Sequence, residues 1–148
     1  RKERTGEMDE VTILAAKVPK AVICLVSALS FHELTTQIPH AVDIALPRGA
    51  TRPRLEHPPL RVFHMSDEPF REGIEEHEFD GVPVRIYSRE KTLADCFKYR
   101  SKIGQDVALE ALGLYARSGN VDTDSLLHRA RVCRVENVMR PYLEAVIR

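Results

Sequence analysis

Tyr87 to Ala116 reads YSREKTLADCFKYRSKIGQDVALEALGLYA, and the fold class is read outward from these residues. Ser88 is a favoured N-cap, and Glu90 places negative charge in the first turn, so a helix begins here. Leu93, Cys96, Phe97 and Arg100 recur at helical spacing on one side, while Lys91, Asp95, Lys98 and Lys102 fall on another. Gly104 ends that helix, and a second helix rich in Ala and Leu follows. The residues before Ser88 close a strand. The unit has a definite structure and no obvious catalytic side chain, which points to a recognition or regulatory domain before it points to an enzyme.

Upstream, Val11, Leu14, Ala15 and Val18 give Met8 to Lys17 a helical pattern. Pro19 suits the first turn of another helix reaching about Phe31, with Val22, Ile23, Val26 and Leu29 as its buried stripe. Between Pro39 and Pro47, AVDIAL reads as a strand, and Arg61 to Met65 as a second one. RGATRPRLEHPPL between them is rich in proline and resists both helix and ladder. Gly73 to Phe79 and Val82 to Tyr87 form a hairpin across Asp80-Gly81, although Pro83 weakens the second strand. Downstream, Thr123 to Val132 and Val135 to Ile147 read as helices, the last kinked or restarted at Pro141. The order is N-terminal helices, a small mixed β-sheet and a C-terminal helical bundle, an α+β fold.

At 148 residues the chain fits a single domain, residues 1–148, with the highly charged start at 1–7 read as a linker remnant. The 43% hydrophobic and 30% charged content is that of a soluble globular protein, and AVICLVSAL is too short to span a bilayer. Cys24, Cys96 and Cys133 are widely separated and form no CxxC pair, which fits reduced, buried thiols in a cytoplasmic protein. Formal net charge is zero, so overall basicity does not mark a nucleic-acid-binding domain. The charge is nevertheless blocked: Arg48, Arg52, Arg54 and Arg61 are basic, Asp67 to Asp80 acidic, and Arg85 to Lys102 basic again. Solvated loops and helix faces explain such blocks, and so does a surface for nucleic acid or an acidic partner.

Candidate chemistry is sparse. Asp43, Glu76, Glu78 and Lys91 are the residue types of a metal-dependent nuclease, in which carboxylates hold Mg²⁺ and a lysine stabilises developing charge. His57, His64 and His77 lie in the sheet region without HxH or HExxH spacing. No GxSxG and no phosphate-cradling glycine pattern occurs, so acyl transfer and dinucleotide binding lack support, and no catalytic residue, metal ligand or cofactor is assigned. Lys91, Asp95 and Lys98 are spaced for ion pairing along a helix, and Tyr99 and Arg100 are suited either to nucleic acid or to packing against the next helix.

Two segments together carry a family likeness. Ser27-Ala28-Leu29 followed by Leu34-Thr35-Thr36-Gln37-Ile38-Pro39, and later Tyr87-Ser88-Arg89-Glu90-Lys91-Thr92-Leu93-Ala94-Asp95, resemble the AbiEi-type antitoxins and transcriptional regulators of bacterial type IV toxin–antitoxin systems. The likeness covers roughly Val18 to Ala116. It implies a non-enzymatic, cytoplasmic antitoxin domain that counteracts a nucleotidyltransferase-like toxin in phage defence, within a parent protein that represses its own operon. Members of that family usually read operator DNA through an N-terminal winged helix-turn-helix. No winged-helix pattern precedes Met8, so the chain is expected to be the C-terminal antitoxin domain alone. Arg48, Arg52, Arg54, Lys91, Lys98, Arg100 and Lys102 are the expected contacts to nucleic acid or a partner. No membrane contact is expected, and a metal-dependent nuclease-like enzyme is the alternative.

Overall fold

The fold is described from a computed structural model covering residues 5 to 147, with side chains from residue 9. Residues 1 to 4 of the expected linker lie outside the described residues, and Thr5 to Glu7 belong to the first helix, α1 (Thr5–Lys17). The chain continues through β1 (Val22–Ile23), α2 (Leu25–Phe31), β2 (Val42–Pro47), β3 (Leu60–Met65) and α3 (Asp67–Arg71). The hairpin β4 (Ile74–Phe79) and β5 (Val82–Tyr87) leads into α4 (Arg89–Lys98), α5 (Arg100–Ile103), α6 (Gln105–Arg117), α7 (Thr123–Val132) and α8 (Glu136–Val146).

Among the described residues, five strands form one mixed sheet in the order β3-β2-β1-β5-β4. β1 pairs antiparallel with β2 and parallel with β5, β2 runs parallel to β3, and β4 runs antiparallel to β5. The period-two alternation assigns each residue to a face. Ile23, Val42, Ile44, Leu46, Val84 and Ile86 pack under α1 against Val11 and Leu14. Val22, Cys24, Ala45, Phe63, Met65 and Tyr87 pack on the other side beneath α2, α4 and the C-terminal helices. The expected α+β arrangement is therefore present, as a sheet covered by one helix on one face and a bundle on the other.

Several local expectations are corrected. AVICLVSAL is not one helix: Val22-Ile23 is the two-residue central strand, and the helix starts only at Leu25. A short apolar run buried on both faces carries no period that separates strand from helix, and the break itself is a left-handed backbone at Leu25 (φ 47°). The basic helix divides at Tyr99 (φ −101°, ψ 23°) into α4 and α5. α8 runs as one element through Pro141, forfeiting the backbone bond that position would donate.

The hairpin forms as read. Phe79 faces Val82 across Asp80-Gly81, both with positive φ (52° and 79°), the backbone of a two-residue primed turn. Pro83 is tolerated because β1 meets β5 only at Ile86 and needs nothing from its beginning. Ser88 caps α4 as expected, accepting the Lys91 N–H at 3.2 Å.

Candidate recognition site at the ends of β2 and β3

Because β2 and β3 are parallel, their carboxyl ends lie side by side. Arg48 follows one and Ser66 the other, and the Arg48 N–H donates to the Met65 carbonyl at 3.1 Å. The last turn of α4 reaches the same place. Arg48, His64, Ser66, Pro69, Lys98 and Tyr99 surround a small pocket with Asp95 at its depth. Two expected contact residues from distant parts of the chain, Arg48 and Lys98, thus share one site. Arg48 is exposed, Lys98 is exposed with Nζ donating to the Cys133 carbonyl at 3.4 Å, and His64 Nε2 lies 2.9 Å from the Ala50 carbonyl.

Tyr99 is half-buried against the larger core cluster, which includes Val107, Ala108 and Ala111 of α6. Its ring meets Phe63 of β3 edge-on, with centroids 5.3 Å apart. Burial pushes its hydroxyl pKa up to about 12, with the charge of Asp95 adding to the rise, so the phenol is a neutral donor at physiological pH.

Beneath this pocket the expected basic face needs its main correction. Lys91 is 0% exposed and Asp95 1%, so Lys91 does not share a surface with Lys98 and Lys102. Its Nζ lies 2.7 Å from Asp95 Oδ2 and 3.7 Å from the centroid of the Tyr87 ring. Cys133 donates its thiol to Asp95 Oδ1 at 3.4 Å, so both carboxylate oxygens have partners. Burial raises the Asp95 pKa, and Lys91 opposes that rise. Burial likewise raises the thiols of Cys24, Cys96 and Cys133, and all three cysteines are free and buried, as expected. The helix places Lys91 and Asp95 one turn apart, but β3, β5 and α7 bury them.

The other expected contacts separate. Arg52 and Arg54 line a second hollow in the 48–59 loop, where Arg52 donates to the Leu60 carbonyl at 3.1 Å. Arg100 turns back to the Phe97 carbonyl at 2.7 Å, and Lys102 is exposed on α5.

The four residues of the nuclease alternative are not brought together. Asp43 sits on β2 and Glu76 and Glu78 on β4, three strand spacings away, about 14 Å. Asp43 is bound by Arg61 and Lys91 by Asp95. The three histidines also lie apart: His57 faces Glu10 at 3.8 Å, and His64 and His77 occupy opposite edge strands. Among the described residues, no three His, Cys, Asp or Glu side chains cluster to hold a metal ion.

Arg61, the last cation of the expected Arg48 to Arg61 basic segment, holds a defined position. Its guanidinium forks onto Asp43, with Nε to Oδ1 at 2.7 Å and Nη2 to Oδ2 at 2.9 Å. Opposite charges interrupting two neighbouring apolar strands are the signal for it, since the parallel register sets Asp43 beside Arg61.

The motifs of the family likeness are tied into the framework. The Ser27 hydroxyl accepts the Asp43 N–H at 2.9 Å, and the Thr36 hydroxyl and N–H, with the Thr35 hydroxyl, clasp Glu110 of α6 at 2.7, 3.2 and 3.4 Å. Among the described residues no helix is long and apolar enough to cross a membrane. Neither a protein-family model nor a curated protein matches the chain.

Proposed function

We propose that this chain is the antitoxin domain of a bacterial type IV toxin–antitoxin pair, a non-enzymatic cytoplasmic module that opposes a nucleotidyltransferase-like toxin through a basic recognition site. The observation that carries this is the meeting of Arg48 and Lys98 at the ends of β2 and β3, beside the half-buried Tyr99. Two basic segments far apart in sequence supply cations to one pocket that Tyr99 also lines, a combination suited to a phosphate backbone. Motif residues support the same reading, because Ser27, Thr36, Ser88, Lys91 and Asp95 make hydrogen bonds that hold the framework of the site together. In the parent protein, an operator-reading module would add repression of the operon to this activity.

The test is co-expression of the full-length protein with the nucleotidyltransferase encoded beside its gene. Growth is restored if the reading holds, and the restoration weakens with the double variant Arg48→Glu/Lys98→Glu. Persistent arrest in the presence of soluble full-length protein overturns it.

A further inference from the structure

A third pocket lies on the bundle side of the β2–β3 edge, away from the Arg48 site. Arg61 and Asp43 line a cavity of about 190 Å³. Val26, Ile38, Ile103 and Val107 form its apolar walls, and Gln37 and His40 stand at its polar rim. The cavity is smaller than the ~300 Å³ at which sites for drug-sized ligands begin, so a ligand of that size is only partly enclosed by it.

The arginine is fixed before any ligand arrives. Asp43, 1% exposed, accepts three N–H groups: Arg61 Nε at 2.7 Å, Arg61 Nη2 at 2.9 Å and the Val26 backbone at 3.0 Å. The guanidinium carbon also lies 5.6 Å from the centroid of the Phe63 ring. With Nε and one Nη2 hydrogen engaged, both hydrogens of Nη1 and the second of Nη2 are left for a ligand. The Arg61 side chain is 43% exposed, so that free edge is accessible. A guanidinium held in one orientation loses little entropy when it binds an anion and suits two oxygens of a phosphate or carboxylate.

Exposure of the wall is the second observation. Ile38 is 74% exposed, the most exposed large apolar side chain among the described residues, and it stands at this cavity. An aliphatic wall facing a fixed cation, with an amide and an imidazole on the rim, matches a flat heterocycle carrying an acidic group. We propose that this pocket binds one nucleotide unit, with its phosphate on the free edge of Arg61 and its base against Ile38, Ile103 and Val107. The choice of a nucleotide over other flat acids rests on the nucleic-acid part of the functional reading; the site itself rests on Arg61 and its cavity.

The unit can be a free mononucleotide or one residue of a single strand, and titration separates the two. Methyl resonances of Ile38, Ile103 and Val107 are followed while 5′-AMP, 5′-UMP, a short single-stranded oligonucleotide and inorganic phosphate are added in turn. Shifts with mononucleotides assign a free-nucleotide site, and shifts with the oligonucleotide only assign a strand site. The variant Ile38→Glu places a negative charge on the lip without touching the Asp43–Arg61 pair, and it weakens binding by about tenfold or more through repulsion of the phosphate and loss of the apolar contact. Arg61→Lys keeps the charge but not the fork and is expected to weaken it too; should that variant fail to fold, Ile38→Glu alone decides.

Unmoved methyls with every nucleotide overturn the proposal. So does undiminished affinity in Ile38→Glu, and so does a full response to inorganic phosphate alone, which would leave a simple anion site. Toxin neutralisation is read separately in the co-expression assay, so either idea can fail while the other stands.

Discussion

Lys91 Nζ and Asp95 Oδ2 lie 2.7 Å apart at the centre of the molecule, one helical turn from each other and shielded from solvent. Removing one partner leaves the other charged and buried. Lys91→Ala is therefore expected to destabilise the fold by about 3–5 kcal/mol, where an exposed pair at this spacing contributes about 0.3–0.5 kcal/mol. The paired change Lys91→Met/Asp95→Leu should recover most of that loss, because it removes both charges and keeps the volume. Urea denaturation of the three proteins is the measurement, and a loss below about 1 kcal/mol for Lys91→Ala would place the pair in solvent.

Gly73 holds the floor under Lys91. Its φ is +75°, and a Cβ there would stand 2.7 Å from Lys91 Cβ, a contact with the root of a packed side chain rather than its flexible end. Gly73→Ala combines a left-handed alanine with overpacking, each costing about 1–3 kcal/mol. A fall in the thermal midpoint on the scale of a core truncation is expected, and near-wild-type melting would show that the strand β4 can shift.

Charge reversal at the shared pocket should separate binding from stability. Arg48→Glu and Lys98→Glu remove cations that face solvent, so each is expected to change stability by no more than about 1 kcal/mol. Affinity for nucleic acid should fall, and the slope of log affinity against log salt should flatten by about one for each phosphate no longer neutralised. Fluorescence anisotropy across a salt series reads both quantities, and an unchanged slope would assign the two residues to the solvated surface.

His32 is expected to make the fold sensitive to mild acid. Its Nε2 meets the Tyr87 carbonyl at 2.8 Å, and burial lowers its pKa by more than that bond raises it. The folded state therefore binds this proton less readily than the unfolded chain, whose histidine titrates near 6.5. The contribution is whole above that pH and is lost as pH falls through it, with a slope of at most about 1.4 kcal/mol per pH unit. His32→Asn should flatten the stability profile between neutrality and the carboxylate range. An unaltered profile would show that His32 does not titrate differently on folding.

Glu110 acts in a lower window. Three donors from Thr35 and Thr36 converge on its carboxylate, with the Thr36 hydroxyl and N–H foremost in lowering its pKa. A depressed acid stabilises the fold above its unfolded pKa and loses that contribution as pH falls below about 4. Since the clasp is largely solvent-exposed, Glu110→Gln should cost only about 1 kcal/mol at neutral pH. The expected structural consequence is faster hydrogen exchange at the Thr36 and Gln37 amides, the latter held by the Thr35 hydroxyl at 3.0 Å.

The sequence alone determined whatever depends on neighbours along the chain. Ser88 caps α4 because an N-cap needs only a hydroxyl and the amide three residues on. Asp80-Gly81 closes the hairpin because positive φ is a local property, and the alternating strands and the α+β order follow from short-range periods. Tertiary structure decided what those periods leave open. Helical spacing puts Lys91, Asp95 and Lys98 near one another, yet only the packing of β3, β5 and α7 divides them into a buried pair and an exposed cation. The short Val22-Ile23 run became the central strand because β2 and β5 supply its hydrogen bonds from both sides. Arg48 and Lys98 come to line one pocket, and Arg61 meets Asp43, through strand register and the folding back of α4, placements between segments whose separation no local pattern encodes.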